Sequence, residues 1–388
     1  MKSKTYNVVY FTYFVFALLH MFSINTLFIY YDVFAFLFSL VSYPLAMVVG
    51  VLCVKRYKSN NFLLLLIIGL LVLIVGYNSH NAYWMGLSYI IIIGAKDIPF
   101  RTIVKVHFFV ALCFCLFNMT VFELGMVNKV AMLSPVERMN FLGEISHRND
   151  YGYGWSTDYA IHVFFILLDY WILRRGYLRY WEVIAYIVIS LFVFLNCDAR
   201  MASLNILLIL VFAMYIYWKL GNNKDMMNIT KKFYIFSVPF FAIVSIWATL
   251  SYDSSDFYWF SANTLLTGRL SVAQDAILDV GVPWFGQKYE MVGSGNLGIG
   301  DIYNFLDCTY IQSFVIWGYV LSCVWIYTYY KISKSASRRK DWVLMSAIVL
   351  SGIAGLIAPY SCNLKYCVLL LACVAQHSYC ENAYHCKK

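Results

Sequence analysis

Apolar runs of bilayer length recur along almost the whole chain, separated by short polar punctuation. They cover 7–24, 33–54, 62–78, 82–95, 103–122, 156–173, 182–197, 201–219, 233–250, 305–330, 342–358 and 364–379. Runs of roughly 17–25 apolar residues suit a helix that crosses a bilayer. The pattern therefore predicts twelve transmembrane helices, the fourth short and the last rich in cysteine and polar residues. Two polar interruptions are much longer than the rest, 123–155 and 251–304. In the second, Thr267 precedes Arg269, and Leu270, Ala273, Ile277 and Val280 follow at helical spacing before Gly281-Val282-Pro283. This predicts a short amphipathic helix on a membrane surface, with Thr267 as its N-cap and Arg269 in its first turn.

Composition points the same way. Of 388 residues, 62% are hydrophobic and only 13% charged, with a mean hydropathy of +0.69. Soluble domains carry about 25% charged residues, and one soluble core could not hide this much apolar surface, which lipid can solvate. The expected fold class is an all-α polytopic integral membrane protein. Residues 1–388 would form a single bundle of about 12 transmembrane helices, with 123–155 and 251–304 as two long extracytoplasmic loops. Lys2 and Lys4 precede the first apolar run without a small-residue cleavage site after it, so that run reads as a retained helix. The eleven cysteines fall mostly inside apolar runs and show no CxxC or Cys/His zinc spacing, so they read as small hydrophobes and no metal is expected.

The placement of charge tests the helix count. With both termini cytoplasmic, 22 of the 29 Lys and Arg fall in inner loops or adjoining helix ends. The basic clusters at 55–58, 96–105, 174–179, 219–232 and 331–340 then all share one side. This is the bias of the positive-inside rule, and it accounts for a net charge of +9 without nucleic acid. Lys129, Arg138, Arg148, Arg200, Arg269, Lys288 and Lys365 are left on the outer side, against that bias.

Those outer cations and their neighbours are the candidate chemistry. Arg269 in a first helical turn, with free backbone N–H groups beside it, suits an anion; the alternative is an arginine reaching for lipid headgroups. Arg200 lies in the tight turn Asn196-Cys197-Asp198-Ala199-Arg200, either as a second cation of the same cavity or in a local ion pair with Asp198. The stretch Glu144-Ile145-Ser146-His147-Arg148-Asn149-Asp150 gathers several ionisable groups, followed by Tyr151, Tyr153 and Trp155. His147 can exchange protons near neutrality, and the aromatic residues suit a membrane-interface belt. Asp307 begins the tenth run, as a helix-terminus charge or as a general base whose proton affinity burial raises. Asp275 and Asp279 fall on the polar face of the short helix and read as solvated. Gly293-Ser294-Gly295-Asn296-Leu297-Gly298 matches a dinucleotide fingerprint in letters only, because no βαβ unit surrounds it; a glycine-rich lid is expected instead. His20, His107 and His162 stand singly in apolar runs and are expected to be packed or hydrogen-bonded.

Four pieces in order resemble the O-antigen polymerase/ligase superfamily, and most closely its Wzy-type repeat-unit polymerases of capsule or exopolysaccharide. Phe141-Leu142-Gly143 with His147-Arg148-Asn149 is similar to the family's phenylalanine-glycine…histidine-proline-asparagine stretch, Arg148 replacing the proline. Asp198-Ala199-Arg200 resembles its acidic/serine-arginine turn, and Thr267-Gly268-Arg269-Leu270 with Trp284-Phe285-Gly286 resembles its glycine-arginine…phenylalanine-glycine loop. Leu306-Asp307-Cys308-Thr309-Tyr310 with Gly318 is similar to a boundary segment that often reads Asp-Asn-x-Tyr…Gly, Cys308 replacing the asparagine. The resemblance implies metal-independent glycosyl transfer, without a cofactor, on the extracytoplasmic face of the bacterial cell membrane. A glycan on polyprenyl diphosphate passes to a sugar hydroxyl of a new polyprenyl-diphosphate-linked oligosaccharide, with membrane lipid as the medium and a flippase and a chain-length regulator as candidate partners. Arg269, Arg200 and Arg148 would face the diphosphate, and Asp307 or His147 would take the hydroxyl proton.

Two other classes share the gross pattern. A flippase or exporter of lipid-linked oligosaccharide would carry charges along its helix interiors, where this chain has few; Asp169 and Glu182 are expected near inner helix ends. A ligase of the same superfamily would join finished glycan to another acceptor.

Overall fold

A computed structural model describes residues 3–24, 26, 32–57, 59–125, 138–139, 145–146, 148–221, 228–293 and 303–377. The chain folds as helices: α1 (Ser3–Ser23), α2 (Asp32–Val54), α3 (Ser59–Asn78), α4 (Ala82–Gly94), α5 (Phe100–Glu123), α6 (Ser156–Leu173), α7 (Tyr180–Cys197), α8 (Arg200–Gly221) and α9 (Asn228–Leu250). Two short helices follow, α10 (Phe257–Leu265) and α11 (Arg269–Val280), then α12 (Thr309–Gln312), a π-helical turn Ser313–Trp317, α13 (Gly318–Arg338) and α14 (Trp342–Gly355). In the first long loop, the backbone of Arg138–Met139 pairs antiparallel with Ile145–Ser146.

Among the described residues, seven helical units are long and apolar enough to cross a membrane: α1, α2, α5, α7, α8, α9 and the continuous unit Thr309–Arg338. The stretch Phe62–Asn78 of α3, with α4 and α14, is apolar but shorter, and α6 carries Asp158, His162 and Asp169. The outer surface is apolar where a soluble protein would be polar. Helix α3 exposes Leu63, Leu64, Ile67, Leu70 and Ile74, and α9 exposes Phe236, Phe240, Ile243, Trp247 and Leu250. Side chains of this kind are stable facing hydrocarbon and would not be in water. The architecture is that of a polytopic helical membrane protein.

Sequential helices pack as neighbours, α1 with α2, α3 with α4, α5 with α6 and α7 with α8. Helices α6 and α14 form the centre: α14 is apolar on every side and almost wholly buried, packed against α6, α8, α9 and α13.

The twelfth apolar run is not a helix. Residues 356–377 form turns and a 3₁₀ segment, Leu369–Cys373. Pro359 cannot continue the ladder of α14, and Tyr360, Ser361 and Asn363 place polar groups directly after it. The segment nonetheless runs from one end of the bundle to the other. Tyr360 donates a hydrogen bond to Asp158 in the first turn of α6, while Gln376 exchanges backbone bonds with Ile98 and Phe100 at the start of α5. Irregular backbone at membrane depth requires internal hydrogen bonds. Thr309 donates to Ala358 O at 2.6 Å, Ser361 to Ser351 O at 2.7 Å, and His107 Nε2 bonds Lys365 O at 3.0 Å.

The last of these bonds fixes a proton. A carbonyl only accepts, so Nε2 of His107 carries hydrogen and donates to Lys365 O. Its Nδ1 lies 2.5 Å from Asp169 Oδ2, within hydrogen-bond reach. Asp169 lies near the end of α6, as expected, but it is buried there and paired with His107. The other histidines are bonded as expected: His20 to Tyr83 and His162 to Tyr153.

Candidate functional site

One end of the bundle gathers the start of α6, the turn between α7 and α8, the end of α14 and the segments flanking α10–α12. At this end Arg269 and Asp307, 38 residues apart, meet. Arg269 Nε donates to Asp307 Oδ2 at 2.8 Å, and Nη1 donates to Leu266 O at 3.2 Å and Thr267 Oγ1 at 2.9 Å. The two side chains are 24% and 22% exposed, so the pair is sheltered yet open on one side. Burial pushes the Asp307 carboxyl above the usual carboxylate range, against the opposing pull of the Arg269 guanidinium.

Local structure explains how each group is held. Gly268 adopts φ +81°, a left-handed conformation that glycine takes without strain, and it turns the chain into α11. The expected cap, Thr267, does not cap; it accepts from Arg269 instead. The first N–H groups of α11 are filled by a neighbour, since Leu270 and Ser271 both donate to Asn263 Oδ1 of α10, at 3.0 and 3.3 Å. The helix terminus is therefore closed to an anion, and the guanidinium is the anion-binding group here. Helix α11 buries Leu270, and packs Ala273 and Ala276 against Leu306, Ile311 and Val315, so its apolar face rests on the protein rather than on lipid. Asp275 and Asp279 are exposed, as read from the sequence.

Asp307 is positioned from the other side by Asn304, whose side chain accepts from Val292 N at 2.6 Å and donates to Glu290 O at 3.0 Å. Two of the family-like pieces also interlock. Tyr319 N donates to Pro283 O at 2.9 Å and Gln287 N to Ile316 O at 3.0 Å. A Cβ on Gly318, at φ +80°, would lie 2.5 Å from Pro283 O and 2.8 Å from Gly286 N. Only glycine lets the two backbones approach this closely, and the contact sits directly after the π-helical turn that follows Asp307.

Arg148 and Arg200 converge on a different turn. Arg148 Nε donates to Cys197 O at 3.0 Å, its Nη2 lies 3.5 Å from Asp198 O, and Asn149 N donates to Asn196 O at 2.9 Å. Arg200 forms the ion pair with Asp198 at 3.3 Å, with the arginine well exposed. Asp198 itself ends α7 in the left-handed region, φ 44°. Among the described residues no bond links this turn to Arg269. His147 lies outside the described residues, as do Phe141-Leu142-Gly143 and most of the glycine-rich stretch after Gly293. Gly293 lies beside Trp155, so the second long loop touches the end of the first.

Between the two arginine clusters lies a group that the sequence reading passed over. Asp158, in the first turn of α6, accepts from the Tyr360 hydroxyl. Its carboxylate is within electrostatic reach of Lys365 and of both Asp307 and Asp150. Lys365 is almost fully buried, with Nζ 4.6 Å from the Tyr366 ring centroid. Asp150 accepts from Gly152 N at 3.1 Å, and burial pushes its carboxyl up. The available signal was small: a proline and three polar residues just before the last apolar run.

The arrangement offers one sheltered arginine–carboxylate pair, a carboxylate–tyrosine pair behind it and a buried ammonium deeper in the bundle. Such a set can hold an anion and accept a hydroxyl proton. No family model, curated protein or solved structure matches the chain.

Proposed function

We propose that this chain is a Wzy-type polymerase of polyprenyl-diphosphate-linked oligosaccharide repeat units. It would cross the bacterial cell membrane twelve times, with both termini cytoplasmic and the Arg269 end extracytoplasmic. The observation that carries the reading is the 2.8 Å bond between Arg269 and Asp307, the cation and the carboxylate of two separate family-like motifs.

In the resting state the guanidinium neutralises Asp307. A donor diphosphate competes for Arg269, because phosphate oxygens accept the same planar fork. Losing that partner leaves Asp307 buried and more basic, so substrate binding itself prepares the base. The acceptor hydroxyl oxygen then bonds to the anomeric carbon of the donor glycan. The bond from that carbon to the diphosphate oxygen breaks, its electron pair leaving with polyprenyl diphosphate, and the hydroxyl proton passes to Asp307. Arg269 stabilises the charge gathering on the leaving diphosphate. Lipid tails enter between helices, so the site needs no nucleotide sugar.

A second reading, a flippase of the same lipid-linked unit, draws on the buried His107–Asp169 pair, since ionisable groups at membrane depth often mark a transport path. Both ring nitrogens of His107 are bonded, one of them to the irregular segment 356–377, which favours a clamp.

Deleting the gene and separating surface polysaccharide and lipid-linked intermediates on a gel tests the proposal. Single repeat units on polyprenyl diphosphate, with long polymer gone, are the expected result. Full-length polymer stranded on its lipid would indicate a ligase, and units trapped on the inner leaflet a flippase.

A further inference from the structure

Helix α10 is built inside out for water. Its N-terminus is sound: Asp256 caps it, accepting from Tyr258 N at 2.7 Å and Trp259 N at 3.1 Å. No residue of the helix is buried. The large side chains instead point away from the protein, with Phe257 76%, Tyr258 81%, Phe260 56% and Leu265 85% exposed. At 100° per residue these four fall on one broad face. The side facing the bundle carries Trp259, Ala262 and Asn263. There Asn263 reaches Tyr252, Ser271 and the N-terminus of α11, and Trp259 meets Trp247 of α9 with ring centroids 5.6 Å apart.

The Trp247 contact says what covers the apolar face. Trp247 lies near the end of the exposed stripe Phe236, Phe240, Ile243, Trp247 and Leu250, which runs along a helix long and apolar enough to cross a membrane. Trp259 of α10 meets this stripe, which sets α10 beside the lipid-facing side of α9. Aromatic side chains at this level match the headgroup boundary, where a ring can rest on acyl chains while a hydroxyl such as that of Tyr258 meets water. Asp253, Ser255 and Asp256 form the polar lip above it.

We infer that α10 is an interfacial anchor, lying in the plane of the membrane with Phe257, Tyr258, Phe260 and Leu265 at the headgroup–acyl boundary. This role was expected of residues 268–280; the structure moves it one helix upstream. The turn after α10 supplies the Leu266 carbonyl that holds Arg269. The anchor therefore sets Arg269 at headgroup depth, where a phosphate carried by a lipid arrives by lateral diffusion. The inference stands on the membrane-crossing helices and is independent of the glycosyl-transfer reading.

The test is photo-cross-linking of the full chain in nanodiscs of phosphatidylethanolamine and phosphatidylglycerol. Benzoylphenylalanine replaces Tyr258 in one sample and Asp275, on the exposed polar face of α11, in another. Lipid adducts detected by mass spectrometry are expected to be at least about tenfold more abundant at position 258 than at 275. Equal yields at the two positions would overturn the inference. So would cross-linking at 258 to a second copy of the chain in place of lipid.

Discussion

Removing one member of the Arg269–Asp307 pair should hurt more than its own bonds explain, and removing both should hurt less than the sum. Arg269→Ala deletes the charge-assisted hydrogen bond to Asp307, worth about 1.5–3 kcal/mol, and two bonds from the same guanidinium to Leu266 O and Thr267 Oγ1 that water at this part-exposed site can replace. It also leaves the Asp307 carboxyl buried without its cation. The pair is less than one quarter exposed, so solvent screens little of this. A loss of about 3–4 kcal/mol follows. Asp307→Asn keeps the shape and an acceptor oxygen but not the charge, and should lose about 1–2 kcal/mol. With Asp307 already asparagine, Arg269→Ala no longer strands a carboxylate. The coupling in the cycle should therefore be about 1.5–3 kcal/mol. The assay is equilibrium unfolding of the four proteins in detergent micelles, followed by tryptophan fluorescence. Additivity to within about 0.5 kcal/mol would mean that the two side chains do not share a bond, and would refute the argument.

The raised proton affinity of Asp307 gives a pH dependence with a defined sign. Its folded value lies above its unfolded one, so its contribution to stability is full below about pH 4 and is lost as pH rises through the folded value. Asp307→Asn should remove that slope from the unfolding curve, whereas an unchanged slope would assign it elsewhere. In turnover the same group acts ionised, so rate should fall as pH drops through its raised value. Arg269→Lys, which keeps charge without the fork, should retain part of the activity that Arg269→Ala loses by about 100- to 1000-fold. Gly318→Ala should push apart the loop 283–287 and the start of α13, costing about 1–3 kcal/mol from backbone strain alone. Wild-type thermal stability in that variant would show that the close approach at Gly318 is not required.

Much of the bundle was legible because lipid imposes a simple rule: a crossing helix must be apolar for about 20 residues. The same rule misled at the last run. The run 364–379 is as apolar as a helix, but inside protein the irregular segment 356–377 can be equally apolar once Thr309, Tyr329 and His107 bond the carbonyls of Ala358, Ser361 and Lys365. The meeting of Arg269 with Asp307 was prefigured only as two motifs of one resemblance, with no local pattern to join them. The Asp158–Tyr360 bond spans 202 residues and had no such prompt. Spacing alone made 270–280 the lipid-facing helix. Aromatic residues inside a long polar interruption hid α10, whose place beside the lipid-facing stripe of α9 became readable only from the contact of Trp259 with Trp247. Thr267 lost its capping role to Asn263, a competitor eight residues from Ser271 that a local reading cannot rank.

The deletion host should supply the substrate for the most direct test of the account. Single repeat units on polyprenyl diphosphate, extracted from it, would be mixed with the purified chain in lipid nanodiscs, without nucleotide or added metal. The account predicts a ladder of longer glycans still attached to lipid, with free polyprenyl diphosphate released once per added unit, and neither product with Arg269→Ala. Repeat units that remain single in the presence of folded wild-type protein would contradict it.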